Sequence, residues 1–122
     1  MKRDMDLIRT ILLELEEKSA GLGTVDIKPE GGDSAQIGYH CKLIVEAGLA
    51  SGIDVSCRGS TYPEWSLSSL TWEGHEFLDA SREPTRWEKA KEIAGNAGGL
   101  TLGMMMKVLS QLMAERIGTL LP

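Results

Sequence analysis

Ser34-Ala35-Gln36-Ile37-Gly38-Tyr39-His40-Cys41-Lys42-Leu43-Ile44-Val45-Glu46-Ala47-Gly48-Leu49 is the stretch on which the fold turns. At about 100° per residue, Ile37, Cys41 and Ile44 share one narrow face, while Ala35, Tyr39, Lys42 and Glu46 lie opposite. The spacing predicts a helix with a dry side and a readable side. Ser34 is the expected N-cap, Gly48 the left-handed residue that stops the helix, and Leu49 the apolar contact that folds back onto it.

Working outward, Asp4 to about Lys18 reads as an earlier helix, with Met5, Ile8, Leu12 and Leu15 as its stripe and Leu7, Ile11 and Leu13 widening it. Asp4 and Asp6 suit its start; Glu14, Glu16 and Glu17 crowd its end, and Lys18 offsets part of that charge. Thr24 to Lys28 alternates and predicts a short strand, closed by Pro29 and the turn Glu30-Gly31-Gly32-Asp33. After the central helix, Ile53-Asp54-Val55-Ser56-Cys57 alternates strictly, which predicts a strand with Ile53, Val55 and Cys57 on its buried face. Arg58 to Glu64 is a loop by composition. Trp65 to Trp72 predicts the returning strand, with Leu67, Leu70 and Trp72 available for burial and Ser68-Ser69 blurring the register.

Thr71 can cap a helix to about Ala80 with Phe77 and Leu78 facing in, Pro84 opens another to about Ala94, and Gly95 to Gly99 ends it. Thr101 caps a last helix, ending near Gly118, with Leu102, Met105, Val108, Leu109, Leu112 and Met113 on one face. A helix followed at once by a hairpin is how a winged helix presents its recognition element. The expected fold is therefore α+β: a winged-helix domain over residues 1–82, with a small antiparallel β-hairpin wing, and a C-terminal helical extension over residues 83–122 that packs on the same domain or forms a dimer interface.

The 122 residues, 42% hydrophobic, have the size and make-up of a compact domain, and their net charge of -5 argues against a sequence-independent grip on phosphates. No stretch reaches the ~20 apolar residues of a membrane span, and the N-terminus lacks a leader pattern, so a cytoplasmic protein with no membrane partner is expected. Cys41 and Cys57 have no CxxC spacing, and reduced thiols are the simpler reading beside a disulfide between them.

Ile37-x-x-His40-x-Lys42-Leu43-Ile44-x-Glu46-Ala47-Gly48-Leu49 resembles the recognition-helix signature of small bacterial winged-helix repressors, and Leu70-Thr71-x-x-Gly74-x-x-Phe77-Leu78 is similar to the segment after their wing. Met1 to Arg9, Tyr39-His40-x-Lys42-Leu43, Leu70-Thr71-Trp72-x-Gly74-His75-Glu76-Phe77-Leu78-Asp79 and Arg86-Trp87-x-Lys89-x-Lys91 together resemble the domain of unknown function family 2513, over nearly the whole chain. That resemblance implies a winged-helix-like fold and a bacterial or prophage cytoplasm, and carries no activity. One difference is that an ordinary winged helix has a complete helix before its recognition helix, for which Pro29 to Asp33 leaves almost no room.

The candidate surface for double-stranded DNA is Ser34, Gln36, Tyr39 and Lys42 on the front of the central helix, His40 at its margin, and Arg58 in the wing loop. Gln36 suits adenine, Lys42 guanine or a phosphate, and Arg58 a phosphate or a narrow minor groove. The alternative is that these are ordinary polar residues facing water, and Glu46 on the same face would repel phosphates. Met104 and Met106, off the main stripe of the last helix, are candidate partner contacts. His40, Cys41, Cys57 and His75 lack the closely spaced pairs of a structural zinc site, so no metal is expected. His75 with Asp79 reads as a surface pair and not as an acid-base site. Gly31 to Ser34 lacks the lysine and spacing of a phosphate loop.

No cofactor or catalytic residue is expected. The leading expectation is a non-enzymatic transcriptional regulator that binds DNA, as a homodimer joined through the last helix. The alternative is a phage or mobile-element interaction module that binds a host protein.

Overall fold

The computed structural model describes residues 1–120, with side chains to residue 118. Its fold is α+β: helices α1 (Met5–Lys18), α2 (Ser34–Glu46), α3 (Trp72–Ser81), α4 (Pro84–Asn96) and α5 (Leu102–Leu120), and one antiparallel hairpin, β1 (Ala50–Asp54) with β2 (Trp65–Leu70). No described helix is long and apolar enough to cross a membrane. The chain divides into two compact units, Met1–Glu76 and a second beginning at Phe77. The division falls inside α3, and Phe77 packs against Trp87 of α4 within the second unit.

In the first unit, Asp4 caps α1 by accepting from the amides of Asp6 and Leu7, and Met5, Ile8, Ile11, Leu12 and Leu15 are buried. The crowded acidic end is relieved by Lys18, whose Nζ lies 2.6 Å from Glu14 Oε1. Only Val25 of the expected first strand joins the sheet, its amide donating to the Leu67 carbonyl. Pairing goes no further because the Lys28 amide turns to the Glu14 carboxylate at 3.2 Å.

The N-cap of α2 is Asp33 and not Ser34, which is the first helical residue. At the other end Gly48 is left-handed (φ 77°). Its amide donates to the Val45 carbonyl and that of Leu49 to the Ile44 carbonyl, the two bonds of a Schellman stop, with Leu49 and Ile44 both buried. The Thr71 amide then binds the Leu49 carbonyl and its hydroxyl the Gly48 carbonyl, so the sheet starts directly at the end of α2.

That start shifts β1 three residues earlier than the alternation predicts. Ala50 is buried and Gly52 lies against Leu67 and Val45, so these positions face the core. Ile53, 57% exposed, and Val55 are therefore on the other side, and Cys57 is in the exposed loop beyond the strand; the expected buried face is the solvent face. Across the hairpin Ser51 pairs with Ser69 but Gly52 with Leu67, which leaves Ser68 as a bulge. Leu67 is fully buried. Trp72 is not: it opens α3 with 77% of its surface exposed, while Thr71 caps the helix through the Gly74 amide.

In the second unit, Trp87 packs edge-on against Phe77, ring centroids 5.9 Å apart, and the Arg86 guanidinium donates to the carbonyls of Ala80 and Asp79. Glu83 caps α4, holding the amides of Thr85 and Arg86, and these hydrogen bonds keep its carboxyl below the usual glutamate range. Thr101 caps α5 through the Met104 amide, as the sequence predicts. Met105, Val108 and Leu109 are buried. α4 and α5 run two residues further than expected, to Asn96 and Leu120.

Candidate recognition surface

The amphipathic period of α2 places Ile37, Cys41 and Ile44 inward and leaves a polar front. Cys41 and Ile44 are buried, and Ser34 and Gln36 are exposed. Tyr39 and Lys42 are half-buried. Lys42 is not a free cation: its Nζ lies 3.7 Å from Glu46 Oε1. It also faces Asp54, whose carboxyl is held below its usual range first by the Ser56 amide, then by the Ser56 hydroxyl, and to a smaller extent by Lys42.

His40 departs from the expectation. It has no exposed surface. Nε2 accepts from the Asp4 amide at 2.8 Å, and Nδ1 lies 2.7 Å from the Gln36 carbonyl, so the neutral ring with its proton on Nδ1 satisfies both contacts. The residue sits about 60° from Ile37 on the helical wheel, on the side of Ile44, where α1 begins. It ties the start of α1 to α2 and cannot touch a ligand. Tyr39 packs edge-on against it, centroids 5.8 Å apart.

The loop between β1 and β2, residues 55–64, expected as the wing, is closed by its own hydrogen bonds. The Val55 amide donates to the Glu64 carbonyl and the Glu64 amide to Ser56 Oγ, both at 2.8 Å. Ser60 Oγ accepts from the Cys57 amide and donates to Glu64 Oε1 at 2.8 Å. Arg58 stands exposed in this loop, in no ion pair among the described residues. The base of the loop presses on α2 at Gly38, where a Cβ would lie 2.0 Å from the Pro63 carbonyl oxygen. Only a hydrogen atom fits there.

Between residues 26–34, the start of α2 and the wing base lies a cleft of about 410 Å3. Ile27, Ile37, Val55, Tyr62, Pro63 and Trp65 form its apolar and aromatic lining, and Asp26, Lys28 and Glu64 add charge. Lys28 and Asp26 pair at 3.1 Å. Glu64 has no cationic partner among the described residues. The sequence reading missed this cleft; Tyr62-Pro63-Glu64-Trp65 was its one visible signal, two aromatics bracketing a carboxylate.

The remaining candidates are dispersed. Met104 and Met106 are half-buried in the second unit. His75 and Cys57 are exposed, whereas His40 and Cys41 are buried; among the described residues no three His, Cys, Asp or Glu side chains converge as a metal site. Both cysteines are free thiols, and burial, with the Glu14 charge behind it, pushes Cys41 up to about 11. Asp79 pairs with Arg82 at 3.3 Å.

No solved structure matches the chain. A protein of Haemophilus influenzae described as uncharacterized is 38% identical over 123 residues, covering 96% of this chain and 99% of its own length. Residues 2–100 match the family described as Hypothetical protein (DUF2513). With that match and that relative, the chain belongs to the DUF2513 family.

Proposed function

We propose that the first unit is a winged-helix-like recognition module, without catalytic activity, whose α2 and wing loop bind a protein partner. The order of α1, the bridged segment at Val25, α2 and a two-stranded hairpin supports the winged-helix reading. Charge carries the choice of partner. The unit holds seven Lys and Arg against thirteen Asp and Glu. Each of its lysines beyond residue 2 is already paired: Lys18 with Glu14, Lys28 with Asp26 and Lys42 with Glu46. A nucleic-acid phosphate backbone would have to displace these carboxylates, against an overall repulsive field. A protein surface makes no such demand, and half-buried Tyr39 beside exposed Gln36 is the mixed polar and aromatic chemistry of interfaces. In a bacterial or prophage setting the partner is a host protein.

Weak binding of double-stranded DNA by a transcriptional regulator is the second reading, favoured by exposed Ser34 and Gln36 on the front of α2 and by exposed Arg58 in the wing loop, in no ion pair among the described residues. A homodimer through α5 would strengthen either contact by avidity. Half-buried Met104 and Met106 and exposed Ile117 support it; Met105, Val108 and Leu109 are buried within the single chain.

The test places a photo-crosslinking residue at position 36 or 58, with position 22, exposed in the first unit outside α2 and the loop 55–64, as the control. The expected result is nuclease-resistant protein adducts from 36 and 58 alone, with no retention of duplex DNA at about 50 mM salt. DNA retention that falls steeply as salt rises would reverse the two readings.

A further inference from the structure

We infer that the cleft beside the wing receives an arginine side chain of the protein partner, its guanidinium stacked on Tyr62 or Trp65 and paired with the Glu64 carboxylate. The inference rests on the protein-partner reading and adds the chemistry of the contact.

Three observations carry it. The cleft, about 410 Å3, is within the roughly 300–1,000 Å3 of ordinary binding clefts, and its lining mixes apolar and aromatic side chains with polar and charged groups in about equal measure. Second, its charges do not cancel. Asp26 and Lys28 neutralise each other, which leaves Glu64 as a carboxylate with no cationic partner among the described residues, beside the aromatic rings of Tyr62 and Trp65 in the same lining. Third, that carboxylate is positioned before any ligand arrives. Backbone bonds to Val55 and Ser56 fix its residue, and the Ser60 hydroxyl holds Oε1, leaving Oε2 to accept.

A cation with an apolar stem complements such a site, and the aromatic pair selects between the two cations a protein offers. Guanidinium is planar, weakly hydrated and stacks on aromatic faces; an ammonium is compact and strongly hydrated. The net negative charge of the unit draws a basic segment toward the cleft.

The experiment titrates the 15N-labelled full chain with the blocked tripeptide Ala-Arg-Ala and with its lysine and citrulline counterparts. Shifts are expected at residues 26–38 and 62–65, with the arginine peptide binding at least ~10-fold more tightly than citrulline and a few-fold more tightly than lysine. Glu64→Gln should bring the arginine peptide down to the citrulline level. Glutamine still accepts from the Ser60 hydroxyl, so the rest of the spectrum should be unchanged. Equal binding of arginine and citrulline, shifts centred elsewhere, or an undiminished preference in Glu64→Gln would overturn the assignment. Those outcomes leave the protein reading to the crosslinks at 36 and 58, whereas salt-sensitive retention of duplex DNA overturns that reading itself.

Discussion

Gly38→Ala should be among the costliest single-methyl additions in the first unit, although it replaces glycine by the best helix former. The added Cβ would lie 2.0 Å from the Pro63 carbonyl oxygen, where real Cβ contacts do not fall below 3.0 Å. The wing base must therefore retreat by about 1 Å. It cannot do so freely, because the next residue, Glu64, is held by its amide and its carbonyl at 2.8 Å each. Overpacking costs about 1–3 kcal/mol, and weakening two hydrogen bonds adds about 1 kcal/mol apiece. The gain in helix propensity returns about 1 kcal/mol. The net expectation is a loss of about 2–4 kcal/mol, which for a unit of this size is a drop in melting midpoint of at least about 10 °C. Gly95→Ala in α4 is the control: no atom lies within 4 Å of the added methyl, and the change should stabilise by up to about 1 kcal/mol. Urea and thermal unfolding followed by tryptophan fluorescence measure both. A wild-type midpoint for Gly38→Ala would refute the close approach of wing and helix, and with it the shape of the cleft.

His40→Phe keeps an aromatic ring, slightly larger than imidazole, but strips the Asp4 amide of its acceptor, so it should cost about 1–3 kcal/mol in urea unfolding while leaving surface binding unchanged. In native protein at pH 8, a thiol reagent should modify exposed Cys57 quickly and Cys41, 1% exposed, only as fast as the fold opens. Because the folded Cys41 thiol is raised to about 11, its contribution to stability is complete below the ordinary thiol range and is lost as pH rises through about 11. Cys41→Ala should flatten that alkaline decline in a plot of midpoint against pH. Asp54 and Glu83 have lowered values, so the sign reverses: their stabilisation is present above the ordinary carboxylate range and is lost as pH falls through the folded values. Asp54→Asn combined with Glu83→Gln should reduce the acid-side slope of stability, measured from pH 7 down to about 3.

The sequence by itself determined the helices, their inward faces and most of their caps. Ile37, Cys41 and Ile44, the stop at Gly48-Leu49, and the caps at Thr71 and Thr101 all depend on interactions within a few residues, and those are written locally. The pairing of Lys18, Lys28 and Lys42 is local too, each with a carboxylate within four residues, although a count of charges treats them as available cations. Contacts between distant segments were decided only on folding. The alternation of residues 53–57 had the right period but the wrong face, because the start of β1 is set by Thr71 closing on Gly48 and Leu49, more than twenty residues away. His40 went inward because α1 offered it an amide, a partner 36 residues distant that no helical wheel contains. The cleft exists because Gly38 lets the wing base close on α2. Helix period, capping and neighbouring ion pairs are short-range properties of the chain; strand face, buried polar partners and cavities are properties of contacts that the chain acquires only when its remote parts meet.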